Sequence, residues 1–199
     1  MSSLPVTATG LQESRAAVIA LSVTLVAFSV GELTRALRVR PTSRPVDLRS
    51  ELVFRLVFVA GVLLVPLAAS LAPSATLPRR TAVMVGVLLA WPGLLLRWWS
   101  FVALGRYFTL VLGTSPGQTV VTHGPYRALR HPAYSGLLLV VAGCAFMVGN
   151  AVGVVASTAV VLAALVHRIG IEERALTEAL GETYREFARS RARLVPFVW

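Results

Sequence analysis

The chain has 199 residues, 56% hydrophobic and 14% charged, with a mean hydropathy of +0.73, which excludes an ordinary soluble domain and predicts one integral membrane domain over residues 1–199. The net charge of +10 comes from 19 arginines and no lysine against one aspartate and eight glutamates. Because the arginines lie between apolar runs, the excess reads as positive-inside charge and argues against a nucleic-acid partner. The lone Cys144 sits within an apolar run, leaving no disulfide and no cysteine-based metal site.

In chain order, Met1 to Ser14 is a polar leader, and Ala16 to Gly31 predicts a first membrane helix, retained because no small-x-small cleavage pattern precedes the arginines after it. Glu32 and Arg35 are expected to end that helix. The connection from Arg35 to Arg55, with four arginines around Pro41 and Pro45, is too polar for hydrocarbon. A second helix is expected over Leu52–Leu71, kinked at Pro66, and a third over Thr81–Phe101, with Pro92 inside it. Arg97-Trp98-Trp99 at its end reads as an interfacial anchor whose cation snorkels.

Residues 106–130 form a long polar connection. Two further helices follow as a tight hairpin, Ala133–Val148 and Ala151–His167, with Gly149 and Asn150 between them. Both are short for a span of ~20 residues. Beyond Arg168, an apolar stripe of Ile169, Leu176, Leu180, Tyr184 and Phe187 at helical spacing predicts an amphipathic helix, bent at Gly181. The fold expected is all-α, with five transmembrane helices and a C-terminal amphipathic helix. With five spans, 16 of the 19 arginines fall on the side holding residues 35–55, 97–132 and 168–199. The N-terminus is then outside and the C-terminus cytoplasmic.

The stretch Gln118 to Gly136, QTVVTHGPYRALRHPAYSG, carries the polar chemistry. Gln118 to Val121 reads as extended, and His123-Gly124-Pro125-Tyr126 as a turn. Pro132 suits a first helical position, so the amides of Ala133 and Tyr134, beside Arg130 and His131, are placed to face an anion. Arg168 and Glu172 are four apart and share a helix face. Adjacent Glu172 and Glu173 repel, and a cationic ligand between their helix and the motif loop would relieve this. Taken singly each residue has a plainer reading: Tyr126 and Tyr134 as belt tyrosines, His131 as a cap, Arg168 with Glu172 as an interfacial ion pair. The three histidines are scattered, so no metal site is indicated.

The sequence GPYRALRHPAYSG, a hairpin turning at an Asn, R-x-x-x-E-E-x-x-L, LGETYREF and a closing VP together resemble the isoprenylcysteine carboxyl methyltransferase family and the related phospholipid N-methyltransferases. The resemblance covers Gly105 to Pro196, so that residues 1–104 form a three-helix N-terminal part and 105–199 the cofactor-binding part. It implies a membrane methyltransferase that uses S-adenosyl-L-methionine without a Rossmann domain, in a cytoplasmic pocket closed by the C-terminal segment. A lipophilic substrate would enter from the bilayer. Carried over by position, cofactor-binding residues would be Gln118, Thr119, Val120, Val121, Tyr126, His131, Pro132, Ala133, Tyr134 and Glu172. Gln118 departs from the His of some eukaryotic relatives. Arg168 would bind the acceptor, and Arg168 with Glu172 would form the catalytic pair.

A carboxylate acceptor is already ionised at neutral pH and needs no base; an amine acceptor would need one, and Glu172 or Glu173 would be the candidate. The readings carried forward are carboxyl O-methylation of a prenylcysteine-like or other lipid acid, N-methylation of a phospholipid or lipid amine, and lipid binding without catalysis. A sterol-reductase-like activity is disfavoured by the small number of spans. The all-arginine basic usage fits a GC-rich bacterial genome, and hence a bacterial inner membrane.

Overall fold

The structure is a computed structural model that describes residues 8–38, 48–105 and 120–196. Six α-helices and one 3-10 turn account for most of it, and among the described residues no strand forms. They are α1 Ala8–Arg38, α2 Leu48–Leu71, α3 Arg79–Leu104, the 3-10 turn Gly124–Arg127, α4 Pro132–Val148, α5 Ala151–Leu180 and α6 Glu182–Arg189. Helices α1, α2, α3 and α5 are each long and apolar enough to cross a membrane, whereas α4, at 17 residues, is a shorter apolar helix. Apolar side chains such as Val26 and Leu33 on α1 and Leu56 and Leu63 on α2 point outward. In hydrocarbon that costs nothing, because lipid tails are as apolar as the side chains.

Small residues hold α3 against α4. Along α3 the buried positions Ala82, Gly86, Ala90, Gly93, Arg97 and Ser100 recur at helical spacing, and α4 offers Gly136, Val140, Gly143 and Met147. A Cβ on Gly93 would lie 2.8 Å from the Gly136 carbonyl oxygen, and one on Gly143 2.5 Å from that of Gly86. The backbones are therefore in direct contact, the packing that works where no hydrophobic effect separates helix from lipid. Helix α2 lies chiefly against α5. Leu137, Val141, Val161 and Leu165 form a core cluster, ringed by Phe28, Phe54, Phe58, Tyr134 and Leu138.

One end of the bundle is tied off by turns. Gly149 closes α4 at φ +86°, a left-handed conformation that glycine adopts without a Cβ penalty. Asn150 then caps α5 by accepting from the Gly153 amide at 2.9 Å, and its Nδ2 donates to the Ala72 carbonyl. Arg79 supplies Nη1 to the carbonyls of Met147 and Val148, satisfying acceptors that a helix terminus leaves free.

Several expectations are revised. The first part of the amphipathic stretch, to Leu180, is the end of α5, which runs unbroken through Arg168 for 30 residues, and the expected bend falls at Gly181, where φ is +58° and α6 begins. At 1.5 Å per residue α5 is about 45 Å long against a hydrocarbon core of ~30 Å, so its last turns stand beyond the bilayer. Helix α1 likewise continues past Glu32 and Arg35 to Arg38. Arg97 does not snorkel: it is 6% exposed, its Nε donates to Glu32 Oε1 at 2.6 Å, and its Nη1 donates to the Ala133 carbonyl at 2.8 Å. The charges assigned to helix ends instead join α1, α3 and α4. Pro66 and Pro92 lie inside α2 and α3, where they were expected.

Candidate active site

At the end of the bundle opposite Asn150, the motif loop, the first turn of α4, the end of α5 and the C-terminal segment converge. Pro132 is the first residue of α4, and His131 is its N-cap. The Tyr134 amide is taken by the His131 carbonyl at 3.0 Å, so it does not face a ligand. The residues after α6 lie along the loop: the Arg130 amide donates to the Ala192 carbonyl at 2.8 Å, the His131 amide to that of Arg193 at 3.1 Å, and Ser135 Oγ to that of Leu194 at 2.6 Å. Arg191 Nε reaches the Tyr126 carbonyl at 3.0 Å. The chain's C-terminal segment is thus strapped across the motif.

The two adjacent glutamates have different environments. Glu173 is surrounded by nitrogen groups: Arg130 Nη1 and His131 Nε2 approach Oε1 at 3.0 and 3.3 Å, and Arg193 approaches Oε2 through Nε and Nη2 at 3.0 and 2.9 Å. The anion facing Arg130 and His131 is therefore this carboxylate. Glu172 Oε2 accepts from the Tyr134 hydroxyl at 2.9 Å, with His131 Nδ1 4.0 Å away, and its side chain keeps 28% of its surface open. The His131 and Tyr134 rings stack at 5.8 Å. Burial, with the charge of Glu172 adding to it, pushes the Tyr126 phenol well above its ordinary range, so at neutral pH it is a donor. Tyr184 is raised by burial and by Glu173 and Glu172, and its hydroxyl is buried without a hydrogen-bond partner.

Arg168 lies deeper, on the first part of α5 to leave the apolar core, next to Leu165 and Ile169, both buried. It does not pair with Glu172. Its Nη2 is 2.5 Å from Glu51 Oε2 on α2, and its guanidinium carbon stands 5.3 Å from the Phe54 ring centre. Glu51 Oε1 also receives Arg55 Nε at 2.7 Å. Arg168 is 5% exposed, and its Nε and Nη1 have no hydrogen-bond partner. The Tyr134 hydroxyl also interacts with the guanidinium, without meeting Nε or Nη1 in hydrogen-bond geometry. The geometry thus brings Tyr126, His131, Pro132, Ala133, Tyr134 and Glu172 to one place with Arg168 beneath them. Val120 and Val121 are half-buried loop residues before the 3-10 turn, and Gln118 and Thr119 lie outside the described residues. Sequence reasoning passed over Glu51. The signal was an acidic residue in the first turn of an otherwise apolar helix, which is costly unless partnered.

A family model described as phospholipid methyltransferase matches residues 81–183, just over half of the chain. Protein-S-isoprenylcysteine O-methyltransferase A of Arabidopsis thaliana is 36% identical over 115 residues, covering 57% of this chain and 58% of that protein. A probable protein-S-isoprenylcysteine O-methyltransferase of Oryza sativa subsp. indica is 34% identical over 116 residues, covering 57% and 61%. The chain therefore spans about three-fifths of the length of these relatives. A solved structure of a eukaryotic intramembrane Ras methyltransferase, isoprenylcysteine carboxyl methyltransferase, superposes with a TM-score of 0.58 at 22% identity, over 73% of this chain and 52% of that one. That likeness is one of fold, and the same helices that build the site carry the sequence match: this chain belongs to the phospholipid methyltransferase family.

Proposed function

We propose that the protein is a membrane methyltransferase that uses S-adenosyl-L-methionine to methylate a lipophilic acceptor, with a carboxylate of a prenylcysteine-like or other lipid acid favoured. The observation that carries this reading is Arg168, a cation 5% exposed with Nε and Nη1 unpartnered beside an apolar cluster. Glu51 meets its charge at Nη2, but the two remaining donors, buried without a hydrogen bond, are costly until an acceptor reaches them. An acid with an apolar tail supplies both acceptor oxygens and a fit to Phe54 and Leu165.

The polar groups above Arg168 fit the cofactor. Glu172, partly open and oriented by Tyr134, suits an ammonium or ribose hydroxyls, and Val120, Val121 and Tyr126 supply apolar and aromatic walls for adenine. The N-terminal turn of α4, capped by His131, suits a carboxylate; Gln118 and Thr119 extend the same set by resemblance. When bound, the cofactor supplies a methyl group on a sulfonium that departs as a neutral thioether. Arg168 docks the acceptor carboxylate, whose lone pair needs no base. The apolar surround keeps water from competing. Catalysis by this chain is then positioning and desolvation. The arginine-rich end that holds the site faces the cytoplasm, by the positive-inside rule.

Glu172 also favours one alternative, N-methylation of a lipid amine, because a partly open carboxylate could take the amine proton. Isothermal titration of the detergent-purified protein with S-adenosylhomocysteine tests the common part of both readings. Saturable binding, weakened in Glu172→Ala and Tyr126→Phe, is expected. Folded protein that binds none would overturn the methyltransferase reading in favour of lipid binding without catalysis. Turnover with prenylcysteine analogues, and not with lipid amines, is expected next; the reverse preference would make the amine reading correct.

A further inference from the structure

The part of the molecule that precedes the motif loop contributes to the site through Glu51. We infer that Glu51 on α2 is a positioning residue for Arg168, holding the guanidinium in place and moderating its charge so that the acceptor carboxylate stays reactive. This rests on the reading of Arg168 as the acceptor-binding group.

Glu51 is 7% exposed and sits in the first turn of α2. It holds two cations at once, with Arg55 Nε on Oε1 at 2.7 Å and Arg168 Nη2 on Oε2 at 2.5 Å. Its burial among α2 and α5 limits the turning of the carboxylate, and the i,i+4 contact with the exposed Arg55 favours one orientation only weakly. Phe54, three residues on, covers the guanidinium of Arg168. Both features come from one face of α2, packed on α5. Arg168 is thereby held at one nitrogen and along the plane of its guanidinium, while Nε and Nη1 remain unpartnered. Glu51 need not leave for an acceptor to bind.

The charge argument gives a direction to the effect. As the carboxylate oxygen forms its bond to the methyl carbon and the carbon–sulfur bond breaks, the negative charge of the acceptor disappears into a neutral ester. An unopposed arginine would therefore stabilise the ground-state carboxylate more than the transition state, which lowers KM without helping kcat. Glu51 offsets part of that attraction and keeps the guanidinium aligned. Removing its charge should tighten acceptor binding and slow turnover, a combination that marks the loss of ground-state destabilisation.

The test is steady-state kinetics of the full-length protein in detergent, with a prenylcysteine analogue as acceptor, on wild type, Glu51→Gln, Glu51→Asp and Arg168→Ala. Glu51→Gln should lower kcat on the order of 10-fold to 100-fold, the range expected when a reacting group is misplaced by about an ångström. Acceptor KM should stay level or fall. S-adenosylhomocysteine affinity should be unchanged, and Glu51→Asp should recover part of kcat. A rise in acceptor KM at constant kcat, no kinetic change, or equal losses of cofactor affinity and thermal stability in Glu51→Gln would overturn the inference. Unimpaired turnover in Arg168→Ala would instead overturn the reading beneath it, and so separates the two failures.

Discussion

Arg193, near the C-terminus, closes on Glu173 of α5 through both Nε and Nη2, at 3.0 and 2.9 Å, while Arg130 and His131 of the motif loop take the carboxylate's other oxygen. One side chain therefore clamps three segments that are distant in sequence. Glu173→Gln leaves these donors without their anion, and breaking a buried ion pair costs roughly 3–5 kcal/mol, the lower end applying where partners are partly exposed as here. Arg193→Ala, whose side chain is 36% exposed, should cost about 1 kcal/mol or less. Thermal unfolding in detergent ranks the two variants. Equal, small shifts would show that the strap is held by its backbone bonds alone.

The same clamp explains what could be read from the sequence and what could not. The hairpin of α4 and α5, its turn at Asn150 and the helix start at Pro132 were legible because each has a local signature: apolar run, cap and proline. Glu173 was legible only as a repulsive neighbour of Glu172 and as a candidate base for an amine acceptor. Its partners lie 20 to 43 residues away, and no periodicity records a contact of that range. Arg97 misled for the same reason. A cation beside two tryptophans looks like an interfacial anchor, and its burial depends on Glu32, 65 positions earlier. Glu51 and Arg168 are farther apart still, so the local i,i+4 pairing of Arg168 with Glu172 looked stronger than it is.

Helix contact through glycine gives a prediction with an internal control. A Cβ on Gly143 would stand 2.5 Å from the Gly86 carbonyl oxygen and 2.7 Å from the Ala90 Cβ, so Gly143→Ala must push α3 and α4 apart, at roughly 1–3 kcal/mol for an overpacked contact. Gly170, on the exposed side of α5, has nothing within 4 Å of the same added atom. Gly170→Ala should therefore stabilise by about 0.5–1 kcal/mol, through helix propensity alone. The two variants should move the midpoint of thermal unfolding in opposite directions. A lower midpoint for Gly170→Ala would point to a contact made at that position by another molecule.

The buried pair of Arg97 and Glu32 should show strong non-additivity. Arg97→Met loses both the Glu32 contact and the bond to the Ala133 carbonyl, which is how α3 holds the first turn of α4. It should cost more than Glu32→Gln, which leaves Arg97 its carbonyl partner. Arg97→Met leaves Glu32 its partly exposed pair with Arg35, and Glu32→Gln leaves Arg97 the Ala133 carbonyl, so each single change falls at or below the lower end of about 3–5 kcal/mol, and removing both charges together costs less than the sum. A double-mutant cycle by denaturant or thermal unfolding measures the coupling, expected between roughly 0.5 and 3 kcal/mol. Additive effects would mean that the two side chains do not depend on one another in the membrane.

Two tyrosines near Glu172 should respond differently to loss of the hydroxyl. Tyr134 donates to Glu172 Oε2 at 2.9 Å, a bond to a charged acceptor, worth about 1.5–3 kcal/mol. In Tyr134→Phe the carboxylate loses the contact that orients it, and S-adenosylhomocysteine affinity should fall by about 10-fold, corresponding to roughly 1.4 kcal/mol. The Tyr184 hydroxyl is buried and unpartnered, so Tyr184→Phe removes a desolvated group that bonds to nothing and should leave stability level or raise it slightly. Titration calorimetry and thermal unfolding on both variants give the comparison. If Tyr134→Phe binds S-adenosylhomocysteine as tightly as wild type, Glu172 either takes no part in holding the ligand or is oriented by the His131 ring beside it, and His131→Ala, measured in the same way, decides between these.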